Sequence, residues 1–162
     1  LSSRLHQSSP GLRCLRSRSM MSVPKLPHAE KFPDRDVVIY DGSCRFCQSQ
    51  VAKLAHWDSE QVLAFVPLQH ELVAERYSDL TRDMLLKEMY LVSRQGVRFG
   101  GVHALREIAQ RLRRLRWLRF WFRIPLAMPI SRLVYRTIAK VRYRLWGRVN
   151  RCDHGTCDVH FD

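Results

Sequence analysis

The chain has 162 residues, enough for one domain with a terminal segment or two, and its 46% hydrophobic content suffices for a buried core. Its 28 Lys and Arg against 15 Asp and Glu give a formal net charge of +13, which predicts attraction to anionic partners and leaves the fold open. Five unevenly spaced cysteines exclude a secreted disulfide framework. No apolar run approaches the roughly 20 residues that a transmembrane helix needs, so we predict no membrane span.

The first segment, residues 1–33, is predicted to be disordered and to carry no chemistry, and Cys14 within it is assigned no role. It has no acidic residue before Glu30, is rich in Arg and Ser, and is interrupted by prolines. We favour a misassigned start ahead of Met20, and the alternative is an organellar presequence. The predicted location is cytoplasmic, or organellar if residues 1–20 are a genuine presequence.

The predicted elements that follow have the order β-α-β-α-β-β-α. The β-branched run Asp36–Tyr40 predicts a buried strand that ends in a tight turn at Asp41-Gly42. Ser43 can cap a helix that begins near Cys44. The later strands are predicted at 62–66, 89–92 and 97–99. One or two helices are predicted over 71–77 and 81–87, with a break at Ser78-Asp79, and a last helix over 103–116.

These elements predict an α/β domain over residues 34–116. A strand–helix–strand unit gives a parallel pair through a right-handed crossover, and the hairpin adds antiparallel strands on one side. The resulting four-stranded mixed sheet with flanking helices resembles the minimal thioredoxin or glutaredoxin arrangement.

Cys44 and Cys47 form a C-x-x-C motif directly after a strand and at the start of a helix. The free N–H groups and the dipole of a helix N-terminus favour an anion, so the pKa of Cys44 should fall below its ordinary value of about 8.5. Arg45 adds positive charge beside it. Cys47, one turn later, should point inward and resolve a mixed disulfide formed at Cys44. This context predicts thiol–disulfide chemistry with Cys44 as the attacking thiol.

Other interpretations of the motif stay open. The two cysteines could be half of a zinc site, or ordinary buried residues. Asp41, three residues before Cys44, could relay protons to the buried thiol. It could equally be a turn residue that accepts hydrogen bonds from nearby backbone N–H groups, so we give it a supporting role.

The run V-V-I-Y-D-G-S-C-R-F-C resembles the signature of the DCC family of predicted thiol–disulfide oxidoreductases, in the thioredoxin-like superfamily. F-G-G-V-H-A-L-R-E-I and R-L-V-Y-R-T-I-A-K-V-R-Y-R-L-W-G-R are similar to later segments of that family, so the resemblance covers residues 36–152. It implies a thioredoxin-like fold with Asp41, Cys44 and Cys47 as the functional positions. The matching residues of the last segment are Tyr135, Ala139, Arg142, Tyr143 and Arg144.

One departure from the wider thioredoxin relatives is the residue before the strand at Tyr90. Those proteins usually carry a proline there, whereas this chain has Lys87-Glu88-Met89. The peptide-binding groove is therefore expected to differ, and the resemblance does not identify a substrate.

Residues 117–151 are predicted to form a basic, aromatic helical extension packed on the domain. Between Glu107 and Asp153 there are 13 Lys or Arg and no acidic residue. Such a segment could lie on an anionic membrane surface, or bind nucleic acid through arginines and stacked aromatics. We favour packing onto the sheet with solvated arginines, then the membrane surface, and nucleic acid last. The apolar residues expected to pack are Leu115, Leu118, Phe122, Leu133, Ile138 and Leu145.

The tail at residues 152–162 concentrates two cysteines and two histidines. Cys152 and Cys157 could be a second thiol pair that exchanges with the first. With His154 and His160 they could instead bind zinc, or they could join Cys44 and Cys47 in one zinc site. An exposed tail with two unremarkable thiols also fits the sequence.

The predicted function is a thiol–disulfide oxidoreductase with a protein or a small thiol or disulfide as substrate. We predict no cofactor and no resident metal. The alternative is a non-enzymatic, zinc-stabilised basic module that binds an anionic membrane surface or nucleic acid. Stoichiometric zinc and unfolding by a chelator would distinguish this alternative. The oligomeric state stays open.

Overall fold

The structure, a computed structural model, describes residues 26–124 and 126–147. Its centre is a four-stranded sheet with the strand order β2-β1-β3-β4. The strands are β1 Asp36–Tyr40, β2 Leu63–Pro67, β3 Tyr90–Val92 and β4 Arg98–Gly100. β1 pairs with β2 in parallel and with β3 in antiparallel, and β3 pairs with β4 in antiparallel. This mixed sheet with flanking helices confirms the predicted fold class.

Six α-helices accompany the sheet in the described residues. They are α1 Arg45–Trp57, α2 Glu71–Arg76, α3 Arg82–Lys87, α4 Gly101–Arg111, α5 Leu118–Trp121 and α6 Ala127–Trp146. The helix predicted over 103–116 ends earlier, at Arg111. Leu112 has an extended backbone with ψ of 121°, which interrupts the helix, and a 3₁₀ turn at Arg113–Leu115 follows.

The two faces of the sheet support separate apolar clusters because successive strand residues point to opposite sides. Val38 and Tyr40 of β1 face one cluster, which α1 and α4 complete with residues such as Leu54 and Ile108. Val37 and Ile39 face the other, which contains Val73 of α2 and Leu85 of α3. β1 is a central strand and is buried along its whole length. The turn that follows its carboxyl end therefore begins from a tightly packed position.

The segment ahead of β1 belongs to the folded domain. Leu26, His28 and Ala29 are buried, and His28 forms a parallel bridge with Phe65 of β2. The Phe65 N–H donates to the carbonyl of Pro27, and the Ala29 N–H donates to the carbonyl of Phe65. The segment expected to be disordered through residue 33 therefore differs from the structure at residues 26–29, which are packed on the domain and pair with the edge of β2 through residues 27–29.

The basic segment packs only in part as expected. Leu115 is buried, and Leu118 and Phe122 pack against the first cluster. Leu133 and Leu145, which were expected to pack on the sheet, are 69% and 65% exposed because they lie on the outer side of α6. α6 is nevertheless attached to the sheet, since the Tyr135 hydroxyl accepts the Met89 N–H at 2.9 Å. No helix in the described ranges is long and apolar enough to span a bilayer.

Candidate functional site

The site is built on the turn between β1 and α1. The Cys44 N–H donates to the Asp41 carbonyl at 3.2 Å, and the Asp41 carboxylate accepts the Ser43 N–H at 3.0 Å and the Ser43 hydroxyl at 2.7 Å. α1 then starts at Arg45, so its N-cap is Cys44 and not Ser43 as predicted. The capping atom is Cys44 Sγ, which accepts the Cys47 N–H at 3.3 Å. The dithiol therefore lies at the helix N-terminus, where an anion is favoured.

Gly42 brings this turn against the end of β2. A Cβ on Gly42 would lie 2.9 Å from both Pro67 Cβ and Gln69 Oε1, closer than packed atoms tolerate. The Gly42 N–H donates to Gln69 Oε1 at 3.1 Å, and the Gln69 amide donates to the Asp41 carboxylate at 2.9 Å. Gln69, two residues after β2, thus holds the loop that presents Cys44.

The two thiols have opposite pKa shifts. The Cys47 thiol donates to Cys44, and this hydrogen bond, together with the Cys47 N–H and the nearby Arg142 charge, lowers the pKa of Cys44 to about 6 against the opposing effect of burial. The same thiol–thiol bond raises the pKa of Cys47, and burial adds to that effect. One thiolate stabilised at Cys44 beside a protonated Cys47 is the state that the geometry favours.

Two residues of α6 complete the site from about a hundred positions further along the chain. Arg142 is buried; its Nη1 donates to Cys47 Sγ at 3.4 Å, and its Nη2 lies 3.8 Å from an Asp41 carboxylate oxygen. Nη2 also donates to the Leu86 carbonyl at 2.5 Å. The Tyr143 hydroxyl donates to the same oxygen of the Asp41 carboxylate.

These contacts determine the charge of Asp41. Burial alone would raise the pKa of Asp41, but hydrogen-bond donors led by the Tyr143 hydroxyl outweigh burial and hold the pKa below its ordinary value. The same bond, with burial as the larger cause, raises the pKa of Tyr143 to about 12. A carboxylate, a guanidinium and a thiolate therefore share one buried region, with neutral Tyr143 as a donor.

The dithiol is covered. Cys44 is fully buried and Cys47 is partly buried, so the expected attacking thiol is the less accessible of the two. Phe46, between the two cysteines, packs against Trp146 at the end of α6, with ring centroids 4.7 Å apart. The last turns of α6 thus lie over the start of α1.

The structure brings together three of the predicted site residues, Asp41, Cys44 and Cys47. Asp41 makes the hydrogen bonds of the predicted turn residue, and its alternative role as a proton relay to the buried thiol stays a prediction. Cys152 and Cys157, like Cys14 and the histidines of the tail, lie outside the described residues. Arg142 and Tyr143 were not selected as site residues from the sequence; their only signal was their place in the C-terminal segment that resembles the DCC family.

Within 26–124 and 126–147, Cys44, Cys47 and the neighbouring Asp41 carboxylate do not form a group of ligand atoms close enough together to hold an ion. In those ranges, side chains spaced to hold an ion occur at His28, Glu30 and His70. Nδ1 of His28 accepts the Glu30 N–H, and Nδ1 of His70 accepts the Leu72 N–H, both at 3.3 Å. Both rings thus already serve backbone donors through Nδ1, which favours a structural role for this cluster.

Comparisons with known proteins point in one direction. The sequence model of the DCC1-like thiol–disulfide oxidoreductase family matches residues 38–148. The uncharacterized protein YuxK of Bacillus subtilis (strain 168) is 30% identical over 132 residues, which are 76% of this chain and 89% of YuxK. No solved structure matches the chain at a significant level. The family match begins in β1 and ends just after α6, so it includes both the C-x-x-C motif and the residues of α6 that contact it.

Proposed function

Because the chain belongs to the DCC1-like thiol–disulfide oxidoreductase family, we propose that it exchanges disulfides through Cys44 and Cys47. The observation that carries this proposal is the N-cap of α1. The sulfur of Cys44 accepts the Cys47 N–H at 3.3 Å and has a pKa lowered to about 6, first by the hydrogen bond from the Cys47 thiol. A thiolate at neutral pH, with a protonated thiol one turn away, is the arrangement that disulfide exchange needs.

The proposed reaction has two steps. The Cys44 thiolate attacks one sulfur of a substrate disulfide, forming a mixed disulfide and releasing the other substrate sulfur as a thiolate. Cys47 then attacks the Cys44 sulfur, and its proton passes to the departing substrate sulfur. The substrate gains two electrons and the dithiol becomes a disulfide, and the reverse sequence oxidises a substrate dithiol.

We assign positioning roles to Asp41, Arg142 and Tyr143. The Arg142 guanidinium, 3.4 Å from the Cys47 sulfur, favours negative charge on the dithiol and thereby lowers the barrier to Cys47 attack. The Asp41 carboxylate orients the turn by accepting the Ser43 N–H, and it forms an ion pair with the Arg142 guanidinium at 3.8 Å. These roles support the exchange without contact to the substrate disulfide.

Access to Cys44 requires movement of its cover. Since Cys44 is buried and Trp146 packs on Phe46, we expect the end of α6 to move aside before a substrate disulfide reaches the thiolate. An aromatic pair contributes about 1 kcal/mol, so Trp146→Ala should speed alkylation of Cys44 about fivefold. Leu145→Ala, on the exposed side of the same helix, is the matched control. Equal rates in the two variants would contradict a cover formed by Trp146.

The deciding experiment is a glutathione redox titration of the full chain, with thiols trapped by alkylation and located by peptide mass. The proposal expects one two-electron transition that links Cys44 to Cys47. Cys44→Ser and Cys47→Ser should both abolish it, whereas Cys152→Ser with Cys157→Ser should preserve it. If the last pair also abolishes the transition, the tail cysteines are part of the exchange and the two-thiol scheme is wrong.

The same titration tests the zinc alternative. Thiols that resist oxidant and alkylation until a chelator is added, with stoichiometric zinc in the protein, would replace the redox function with a structural metal site. A thiol or disulfide compound is the substrate class that the family implies, and the cytoplasmic location stays a prediction.

A further inference from the structure

The large apolar side chains that the fold leaves exposed are concentrated in one part of the chain. Within the described ranges, all of them except Met84 and Val97 lie between Trp117 and Trp146. Five of them, which we call the outer surface, are each 65–71% exposed. They are Trp117, Phe120, Leu126, Leu133 and Leu145. Large exposed apolar side chains concentrated in one segment in this way are typical of an interaction site.

The charge of the same segment has one sign. Residues 108–147 contain 11 Lys or Arg and no Asp or Glu. Arg113, Arg114, Arg116 and Arg123 are exposed around α5, and Arg136, Lys140 and Arg144 are exposed along α6. A partner of this surface must therefore be anionic as well as apolar.

The helix period of α6 places its exposed apolar side chains on one face. At 3.6 residues per turn, Leu126, Ile130, Leu133, Val134 and Leu145 fall within roughly a third of the helix circumference. Arg136 and Lys140 lie along one border of that stripe, and Arg144 lies within it near the carboxyl end of α6. Such long basic side chains can reach outward while their stems stay near the apolar face. This is the pattern of a helix that lies in the interface plane of a bilayer.

We propose that the outer surface binds an anionic lipid membrane. The apolar stripe of α6 is aliphatic, and aliphatic side chains enter hydrocarbon but do not stack on bases, so lipid fits this surface better than nucleic acid. Trp117 and Phe120 supply the aromatic side chains that favour the level of the lipid headgroups. The surrounding arginines supply the attraction to phosphate headgroups. This binding does not depend on the proposed dithiol chemistry.

The test is sedimentation of the full chain with vesicles of phosphatidylcholine containing phosphatidylglycerol, and with vesicles of phosphatidylcholine alone. We expect binding to the anionic vesicles that weakens as salt rises, and much weaker binding to the neutral ones. Leu133→Asp with Val134→Asp should weaken binding about thirtyfold or more, because two apolar side chains no longer enter the bilayer.

The matched control is Met84→Asp with Val97→Asp, which adds the same charge at the two exposed apolar positions outside the segment. Its vesicle affinity should stay close to that of the parent protein. Circular dichroism and the Cys44–Cys47 redox transition report whether each variant is folded, and they separate failure of this proposal from failure of the redox function.

Three outcomes would overturn the proposal. Equal losses in the two double variants would mean that charge alone governs binding. Displacement of vesicle-bound protein by duplex DNA, with no effect of the Leu133 and Val134 changes on DNA affinity, would assign the basic surface to nucleic acid. A stable dimer that only Leu133→Asp with Val134→Asp dissociates, without vesicle binding by the parent, would show that a second copy covers this surface.

Discussion

Arg142→Met is the substitution that tests the electrostatics of the dithiol most directly. Methionine keeps an unbranched stem but removes the guanidinium that lies 3.4 Å from the Cys47 sulfur and 3.8 Å from the Asp41 carboxylate. It also removes the 2.5 Å hydrogen bond to the Leu86 carbonyl. The loss should therefore appear in the pKa of the dithiol and in the free energy of unfolding.

The expected pKa change follows from the distance. Two unit charges 3.4 Å apart interact by about 5 kcal/mol at an effective dielectric constant of about 20, which limits the effect to about three or four pKa units. Cys44 is not itself the sulfur that Arg142 contacts, so we expect its pKa to rise by about one to two units from its value of about 6. Its thiolate would then fall from the predominant form to about half of the molecules or fewer at pH 7.

The expected stability change follows from the buried carboxylate. Removing one partner of a buried ion pair costs about 3–5 kcal/mol. Asp41 keeps its hydrogen bonds from Tyr143, Ser43 and Gln69, which favours a loss near the lower limit, about 3 kcal/mol. Arg142→Lys retains the charge, so both the rise in the Cys44 pKa and the loss in the free energy of unfolding should be smaller than in Arg142→Met.

The assay is a pH titration of thiolate ultraviolet absorbance in a protein whose only cysteines are Cys44 and Cys47. Arg144→Met, an exposed position two residues along α6, is the control and should titrate like the parent. A Cys44 pKa that is the same in Arg142→Met, Arg144→Met and the parent would refute the reasoning, because Arg142 would then contribute packing alone. If Arg142→Met does not fold, Arg142→Gln, which removes the charge but keeps a side-chain donor, takes its place in the same comparison.

Three further predictions concern the turn and its charges. Tyr143→Phe removes the hydroxyl donor to Asp41 and should cost about 2 kcal/mol in a urea titration, so an unchanged midpoint would contradict that bond. Gly42→Ala should cost about 3 kcal/mol through its close approach to β2, against about 1 kcal/mol for Gly96→Ala, where space is open but φ is +80°. The pKa of Cys44 is about 6 in the folded protein and about 8.5 when unfolded, so the folded state loses this proton first as pH rises. The free energy of unfolding of the reduced protein should therefore increase by up to about 3 kcal/mol between about pH 6 and about pH 8.5, and Cys44→Ser should lack that increase.

The local parts of the fold were predictable from the sequence because their signals are local. A β-branched run that ends in Asp-Gly predicts a strand and a turn, and β1 ends at Tyr40 as expected. Residues 26–29 were missed because Pro24, Pro27 and Pro33 and the lack of an apolar period suggested disorder. Their pairing with β2 is a long-range contact that no local pattern encodes. Leu112 shows the same limit, since apolar period alone did not predict where α4 ends.

The part of the candidate site that lies on the β1–α1 turn was predictable from the sequence, and the part that α6 contributes was not. Cys44, Cys47 and Asp41 lie within one strand–turn–helix unit, so a single motif predicted all three. Arg142 is one of 13 basic residues without an acid between them, and charge pattern could not tell which one is buried. Its contact with Cys47 joins positions 95 residues apart and exists only after α6 has packed.

The two faces of α6 make the redox site and the outer surface separable by substitution. Arg142 and Tyr143 face the dithiol, whereas Leu133 and Leu145 lie on the exposed side of the same helix. The helix period keeps these sets apart, so a change on one side leaves the other side's contacts in place. Trp146 at the last turn lies against Phe46 and is still 45% exposed, so it borders both. A membrane that holds the outer surface would therefore act on the cover of Cys44 through Trp146, and vesicle binding should change the alkylation rate of Cys44 in the parent protein but not in Trp146→Ala.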